Sequence, residues 1–140
     1  LVGSMASLVY NSAVDDMARG LIDFDSDTFK AMLVTSTYSP NKDTHDKRDD
    51  VTNEVTGTGY TAGGTTCAVT VTKDTANDKV TVTLGSVSWS SSTITARGCV
   101  YYKSRGGAAT ADELVAVIDF GSDVSTTNSG DSAYSKKKSA

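Results

Sequence analysis

The residues best suited to chemistry are charged side chains crowded between positions 38 and 50. The carboxylates and the single histidine there are Asp43, His45, Asp46, Asp49 and Asp50. Carboxylate oxygens at this density are the ligands that Ca²⁺ prefers. The spacing does not match an EF-hand loop, and three interleaved cations oppose a metal ion: Lys42, Lys47 and Arg48. We expect a solvated loop without a bound metal, and if it has a partner, a neighbouring subunit.

Catalytic patterns are weak elsewhere in the sequence. His45 is the only candidate for a histidine general base, but a serine hydrolase also needs a nucleophile on a sharp turn. The sequence contains no Gly-x-Ser-x-Gly motif. The glycine-rich stretch 57–64 lacks the Lys-Ser/Thr pair of a phosphate-binding Walker motif, so we interpret it as a connector. We therefore expect no enzymatic activity and no cofactor.

Two cysteines, Cys67 and Cys99, lie far apart and lack metal-ligand spacing. Because the chain has one histidine, a Cys/His zinc site is not expected. Two interpretations stay open at this point. The cysteines are either two buried thiols or the two halves of a disulfide bond.

Aromatic side chains are candidates for contacts with a partner, since Trp and Tyr are enriched at interface hot spots. Tyr101 and Tyr102 are adjacent in a predicted strand and must face opposite sides of it. At most one of them would be core in a sheet covered on one side, and the other would meet a second layer or a partner. The candidate interface residues, from the acidic loop and the aromatics, are Tyr38, His45, Arg48, Tyr60, Trp89 and Tyr102.

Composition limits the class of protein that these residues belong to. The length of 140 residues fits one domain, and a formal net charge of −4 without a basic stripe argues against nucleic-acid binding. No apolar run approaches the roughly 20 residues of a membrane span. We expect a cloning remnant at 1–4, one β-rich domain over 5–134, and a flexible basic tail at 135–140.

Strands are expected to dominate the domain, because Thr and Val abound while Leu, Glu and Gln are scarce. Apolar residues at three-to-four spacing predict one helix over 7–22, ending near Gly20. Runs that are apolar on both faces predict buried strands at 29–35 and 113–120. A further strand is expected at 95–103.

Alternation of apolar and polar residues predicts a β-hairpin in the middle of the chain. With a loop at 74–77, the expected pairs are Val71 with Val80, Val69 with Val82 and Cys67 with Leu84, all facing one side. No βαβ alternation is present. The expected fold is mainly β: an antiparallel β-sandwich or open barrel with one short N-terminal helix.

The order and spacing of several motifs resemble a family of small virion proteins of tailed bacteriophages, often named head decoration or cement proteins. The resemblance covers most of residues 5–123. The motifs that carry it are Val9-Tyr10-Asn11, residues 20–34, Tyr38 with His45, residues 57–64, residues 87–89 with 92–98, and residues 114–120.

The resemblance implies a structural protein of the virion that decorates the capsid and is assembled in the bacterial host cytoplasm. The implied partners are capsid or other virion proteins and further copies of the chain, with no nucleic acid and no membrane. No catalytic residues carry over from the family. The alternative is a tail- or fibre-associated module that binds carbohydrate or a host surface through its aromatics and its Ser/Thr-rich loops.

Overall fold

The computed structural model describes residues 5–127 and 138–139. The cloning remnant expected at 1–4 lies outside the described residues. So does 131–134, for which the sequence also predicts a short last strand. The basic tail expected at 135–140 also lies outside them, except for residues 138 and 139, which pair as a short strand.

The chain is mainly β, as the sequence predicts. In chain order, its elements are β1 (Leu8–Val9), α1 (Asn11–Ala18), β2 (Phe29–Val34), β3 (Thr65–Cys67), β4 (Val69–Asp74), β5 (Lys79–Leu84), β6 (Thr95–Lys103), β7 (Leu114–Ser125) and β8 (Lys138–Ser139). Two short 3-10 turns lie at Arg48–Asp50 and Ala109–Ala111. All strand pairs are antiparallel.

The helix is shorter than the apolar spacing predicts. Leu8 and Val9 pair with β7 as an edge strand, so α1 spans only Asn11–Ala18. Its chain then turns at Gly20, whose φ of 75° is the left-handed conformation expected there. Residues that were predicted to form the first turn of the helix therefore belong to the main sheet. Within residues 5–127, no helix is long and apolar enough to cross a membrane.

Five strands form the main sheet in the order β1-β7-β6-β2-β3. β2 and β6 are buried on both faces over most of their length, and this is why Tyr101 and Tyr102 are 0% and 1% exposed although they are neighbours in β6. The sheet is therefore not covered on one side only, and the second tyrosine meets a further layer of the chain: Tyr102 contacts Arg48 and Gly63 of two loops. A register irregularity between Tyr101 and Tyr102 accompanies this packing.

The predicted hairpin forms with a register shifted by two residues. Val71 pairs with Val82 and Val69 with Leu84, because the turn lies at 75–78 and β5 begins at Lys79. The side chain of Asp74 stabilises this turn by accepting hydrogen bonds from the backbone N–H groups of Ala76 and Asn77. A two-residue shift keeps each side chain on its expected face.

The hairpin belongs to a second sheet of order β4-β5-β8. Only Ala68 separates β3 from β4, so the chain passes almost directly from one sheet to the other. Cys67 therefore lies in β3, opposite Phe29, and not opposite Leu84. Across the described strands the two sheets form an open arrangement that does not close into a barrel.

The cysteines are buried and are not bonded to each other, which excludes the disulfide alternative. Cys67 pairs with Phe29 across one edge of β2, and Cys99 pairs with Leu33 across the other edge. Phe29 and Leu33 are four residues apart in β2, so the two cysteines lie about 13 Å apart along the strand direction alone. This is well beyond the roughly 7 Å between Cα atoms that a disulfide can span. Burial also raises the pKa of the Cys67 thiol to about 11.

A thiol titration tests this arrangement. The folded protein is expected to react slowly with a thiol reagent, because both sulfurs are buried, and the unfolded protein to react at two sites. Intact mass before and after a reductant should be the same. A mass that rises by two hydrogens on reduction would contradict the structure.

Gly64 packs closely against the backbone of β2. It has a φ of 76°, and a Cβ added there would lie 1.8 Å from the carbonyl oxygen of Ala31 in β2. Only a glycine lets the connector approach β2 this closely. The glycine-rich stretch is thus a connector, as its sequence indicates, and it is fixed by packing.

Gly64→Ala is expected to lower the free energy of unfolding by about 3 kcal/mol or more, because both strain and overlap oppose it. Gly107→Ala is the matched control, since no atom lies within 4 Å of a Cβ at this position and its φ is not in the left-handed range. Urea denaturation measures both variants. Equal midpoints for the two variants would refute the packing at Gly64.

Candidate functional site

An apolar groove opens between α1 and the inner face of the β4–β5 hairpin. Its volume is about 320 Å³, at the lower end of the size of ligand sites. Its lining is apolar throughout and comes from both sheets, α1 and one loop: Val9, Met17, Phe24, Val80, Val82, Leu84, Val115 and Ala116.

Strand alternation in β5 creates one wall of the groove. Val80, Val82 and Leu84 occupy every second position and face the groove, while the intervening threonines face away. Phe24 forms part of the opposite wall and is fixed by stacking on Phe29, with ring centroids 5.2 Å apart. Met17 extends this wall from α1.

The apolar surface continues beyond the groove onto exposed parts of the hairpin and helix. Val80 is 57% exposed and Val71, on the same hairpin face, is 42% exposed. Met17 is exposed on the facing side. Single exposed apolar residues are ordinary, but a contiguous apolar patch marks an interaction surface.

The outer edge of β5 is largely open beside this surface. β8 pairs with β5 only at Thr83 and Leu84. In the chain that the structure describes, the outer edge of the preceding four residues, 79–82, has no strand partner. An unpaired edge next to an apolar face is a template for pairing with another chain.

The candidate interface residues lie elsewhere, and none of the six is exposed. Tyr38, Trp89 and Tyr102 are buried in the core, at 1%, 6% and 1% exposure. Their expected role as surface anchors is therefore corrected: they pack within the chain. His45, Arg48 and Tyr60 are half-buried and bound to partners within the chain.

A hydrogen-bonded chain of three side chains ties the acidic loop to the core. The hydroxyls of Tyr10 and Tyr38 lie 2.7 Å apart, and the Tyr38 hydroxyl lies 2.9 Å from Nδ1 of His45. The Asn41 backbone N–H also donates to this nitrogen. Burial raises the pKa of Tyr38 to about 12, and burial followed by the proximity of Tyr38 raises the pKa of Tyr10. His45 thus anchors a loop, and no serine nucleophile accompanies it in these bonds.

The carboxylates of the acidic loop are likewise engaged in local structure. Asp50 accepts the backbone N–H groups of Asp46 and Lys47, and the bond from Asp46 is the main reason that the pKa of Asp50 is lowered. Asp43 accepts a hydrogen bond from the side chain of Asn11 in α1. No group of three metal-ligating side chains is found within the described residues.

Arg48 connects the end of the acidic loop to β6 and β7. Its Nε donates to Asp112 over 2.7 Å, and its guanidinium lies 5.2 Å from the ring centroid of Tyr102. The Tyr102 hydroxyl in turn donates to the carbonyl oxygen of Gly63. This group therefore joins two loops to the main sheet.

Tyr60 completes the edge of β2 beyond Ala31, in the part that lies ahead of the start of β3. Its hydroxyl accepts the backbone N–H of Leu33 and donates to Glu54, and its ring packs 5.7 Å from that of Trp89. Burial and the contact with Glu54 raise the pKa of Tyr60. The side chain thus replaces a missing stretch of strand.

Sequence reasoning missed the groove for a physical reason. Alternation identified the face on which Val71, Val80 and Val82 lie, but it does not reveal whether a second layer covers that face. The available signal was that the hairpin is apolar on one face while the residues next to its turn are charged.

Tyr38→Phe tests the role of the loop anchor. Removing the central hydroxyl leaves Tyr10 buried without this partner, so the free energy of unfolding should fall by about 1–3 kcal/mol. Thr44→Ala, at an exposed position of the same loop, should change it by less than about 0.5 kcal/mol. Urea denaturation at neutral pH compares them, and an unaffected Tyr38→Phe protein would contradict the hydrogen-bonded chain.

The chain matches no protein-family model, no curated protein and no solved structure. The mainly β fold therefore rests on the strands and their pairing. A function has to be argued from the surfaces of the molecule and the motifs of its sequence.

Proposed function

We propose that the chain is a structural protein of a bacteriophage particle that decorates or cements the capsid through contacts between subunits. The observation that carries this proposal is the contiguous apolar surface of the groove and hairpin. Such a surface is costly to leave in water and is typical of a site for another protein. Capsid or other virion proteins and further copies of the chain are the proposed partners, and the virion is the proposed location.

The resemblance to tailed-phage virion proteins supports the particle as the setting. Its motifs at 20–34, 92–98 and 114–120 contribute to the central strands β2, β6 and β7. The motif at 57–64 includes Gly64, which must approach β2 closely. The resemblance therefore concerns the residues that build the body, while the apolar surface supplies a place for contact.

The arrangement of the polar residues supports a role without catalysis. His45, Arg48 and Glu54 each have partners that fix a loop to the sheet. Arg105 and Glu113 form a two-bond ion pair of the same structural kind. The groove itself has an apolar lining, which suits packing against a protein better than acid–base chemistry.

The alternative function, binding of carbohydrate or a host surface, is motivated by the aromatic rings and by the Ser/Thr-rich loops. Trp89 and Tyr102 are buried, and Tyr60 packs on Trp89 while bonding to the backbone of β2. These rings are therefore unavailable for stacking on a sugar. No surface observation favours this alternative over assembly.

Co-sedimentation with heads of the phage that encodes the chain tests the proposal. The folded protein is expected to sediment with the heads, and Val80→Asp should weaken binding by about tenfold or more because a charge would enter an apolar contact. Thr72→Asp places the same charge on the exposed opposite face of the hairpin and serves as control. Folded protein that stays in the supernatant would overturn the decoration role.

A further inference from the structure

We propose that the outer edge of β5 binds an extended strand of a second polypeptide, which runs antiparallel to β5 and inserts alternate apolar side chains into the groove. The identity of this polypeptide as a particle subunit rests on the proposed function. Strand addition itself depends only on the edge and the groove.

The pairing of β8 sets the direction and register of the added strand. Leu84 lies opposite Lys138 and Thr83 opposite Ser139, so this edge already accepts an antiparallel strand. A segment in the same line would lie next opposite Val82, then Thr81, Val80 and Lys79. These are the positions whose outer edge has no strand partner in the described part of the chain.

Backbone chemistry identifies the occupant as a peptide. The open edge presents N–H and C=O groups, and another strand supplies both complementary groups along its length. An acyl chain would fill the apolar groove but leave these backbone groups without partners. The coincidence of an open edge with an apolar groove on one strand therefore favours a polypeptide.

The groove specifies the side chains of that peptide. Residues opposite Val82 and Val80 would face the groove, because directly opposed residues in an antiparallel pair share a face. They would be apolar and meet the floor formed by Val115 and Ala116. The residue opposite Thr81 would face away and be polar, and an acidic residue opposite Lys79 would complement its charge. The expected pattern is apolar–polar–apolar–acidic.

A labelled synthetic peptide of sequence Val-Thr-Val-Glu is the probe, since it places its valines opposite Val82 and Val80 and does not overlap the positions that β8 occupies. A control peptide, Val-Val-Thr-Glu, has the same composition but breaks the alternation. Fluorescence anisotropy with the full chain should show saturable binding of the probe and at least about tenfold weaker binding of the control.

Variants of the protein separate groove binding from nonspecific adhesion. Val80→Asp should abolish binding of the probe, while Thr72→Asp should bind it as the unmodified chain does. Val80 is exposed enough for the variant to fold, and Val80→Thr, which keeps the β-branched shape, is a second variant that should weaken binding. Circular dichroism checks the fold of each.

Two results would overturn strand addition: equal binding of both peptides, or no binding by the folded chain. Self-association that Val80→Asp removes but the probe does not displace would also overturn it, since the apolar face would then meet a second copy without pairing at the edge. Capsid co-sedimentation is a separate readout. A chain that binds the probe but not the heads would preserve strand addition and reject the virion role.

Discussion

The burial of β2 and β6 on both faces is the constraint on which the rest of the structure depends. A strand covered on both sides has no access to water, so every backbone group along it needs a partner from the protein. β6 meets this requirement through β2 on one side and β7 on the other. β2 meets it only in part, because β3 begins opposite Ala31 and pairs with only the first three residues of β2.

The loops complete what β3 leaves unpaired. Val55 donates its backbone N–H to the carbonyl oxygen of Leu33, and the Tyr60 hydroxyl accepts the N–H of Leu33. Glu54 fixes that hydroxyl and also accepts the N–H of Gly63, which draws the glycine-rich connector against β2. The long loops are therefore part of the sheet's own hydrogen bonding. The aromatic and charged residues of these loops are therefore bound within the chain, and other residues form the exposed contact surface.

The sequence predicted the central strands well because their signal is local. Residues 29–34, 95–103 and 114–120 carry apolar or β-branched runs that are typical of buried strands, and each forms one. It failed where a distant partner decides the outcome. Leu8 and Val9 have helical spacing but pair with β7, and the hairpin turn lies one residue later than its composition suggests. Candidate site residues failed for a related reason: residue type identified aromatics and a histidine suited to contacts, but only packing shows that they are used internally.

The proposed contact surface lies at the boundary between the two sheets. In the main sheet, loops complete the edge of β2, while the second sheet has a short last strand among the described residues and an apolar face that α1 and Phe24 cover incompletely. Amide hydrogen exchange, measured on the free chain and on the chain bound to phage heads, tests this division most directly. We predict that the amides of β2 and β6 exchange slowly in both states, whereas those amides of residues 79–82 that point to the open edge of β5 exchange quickly in the free chain and slowly on the particle. Protection that appears in the 38–50 loop while β5 stays unchanged would contradict the account.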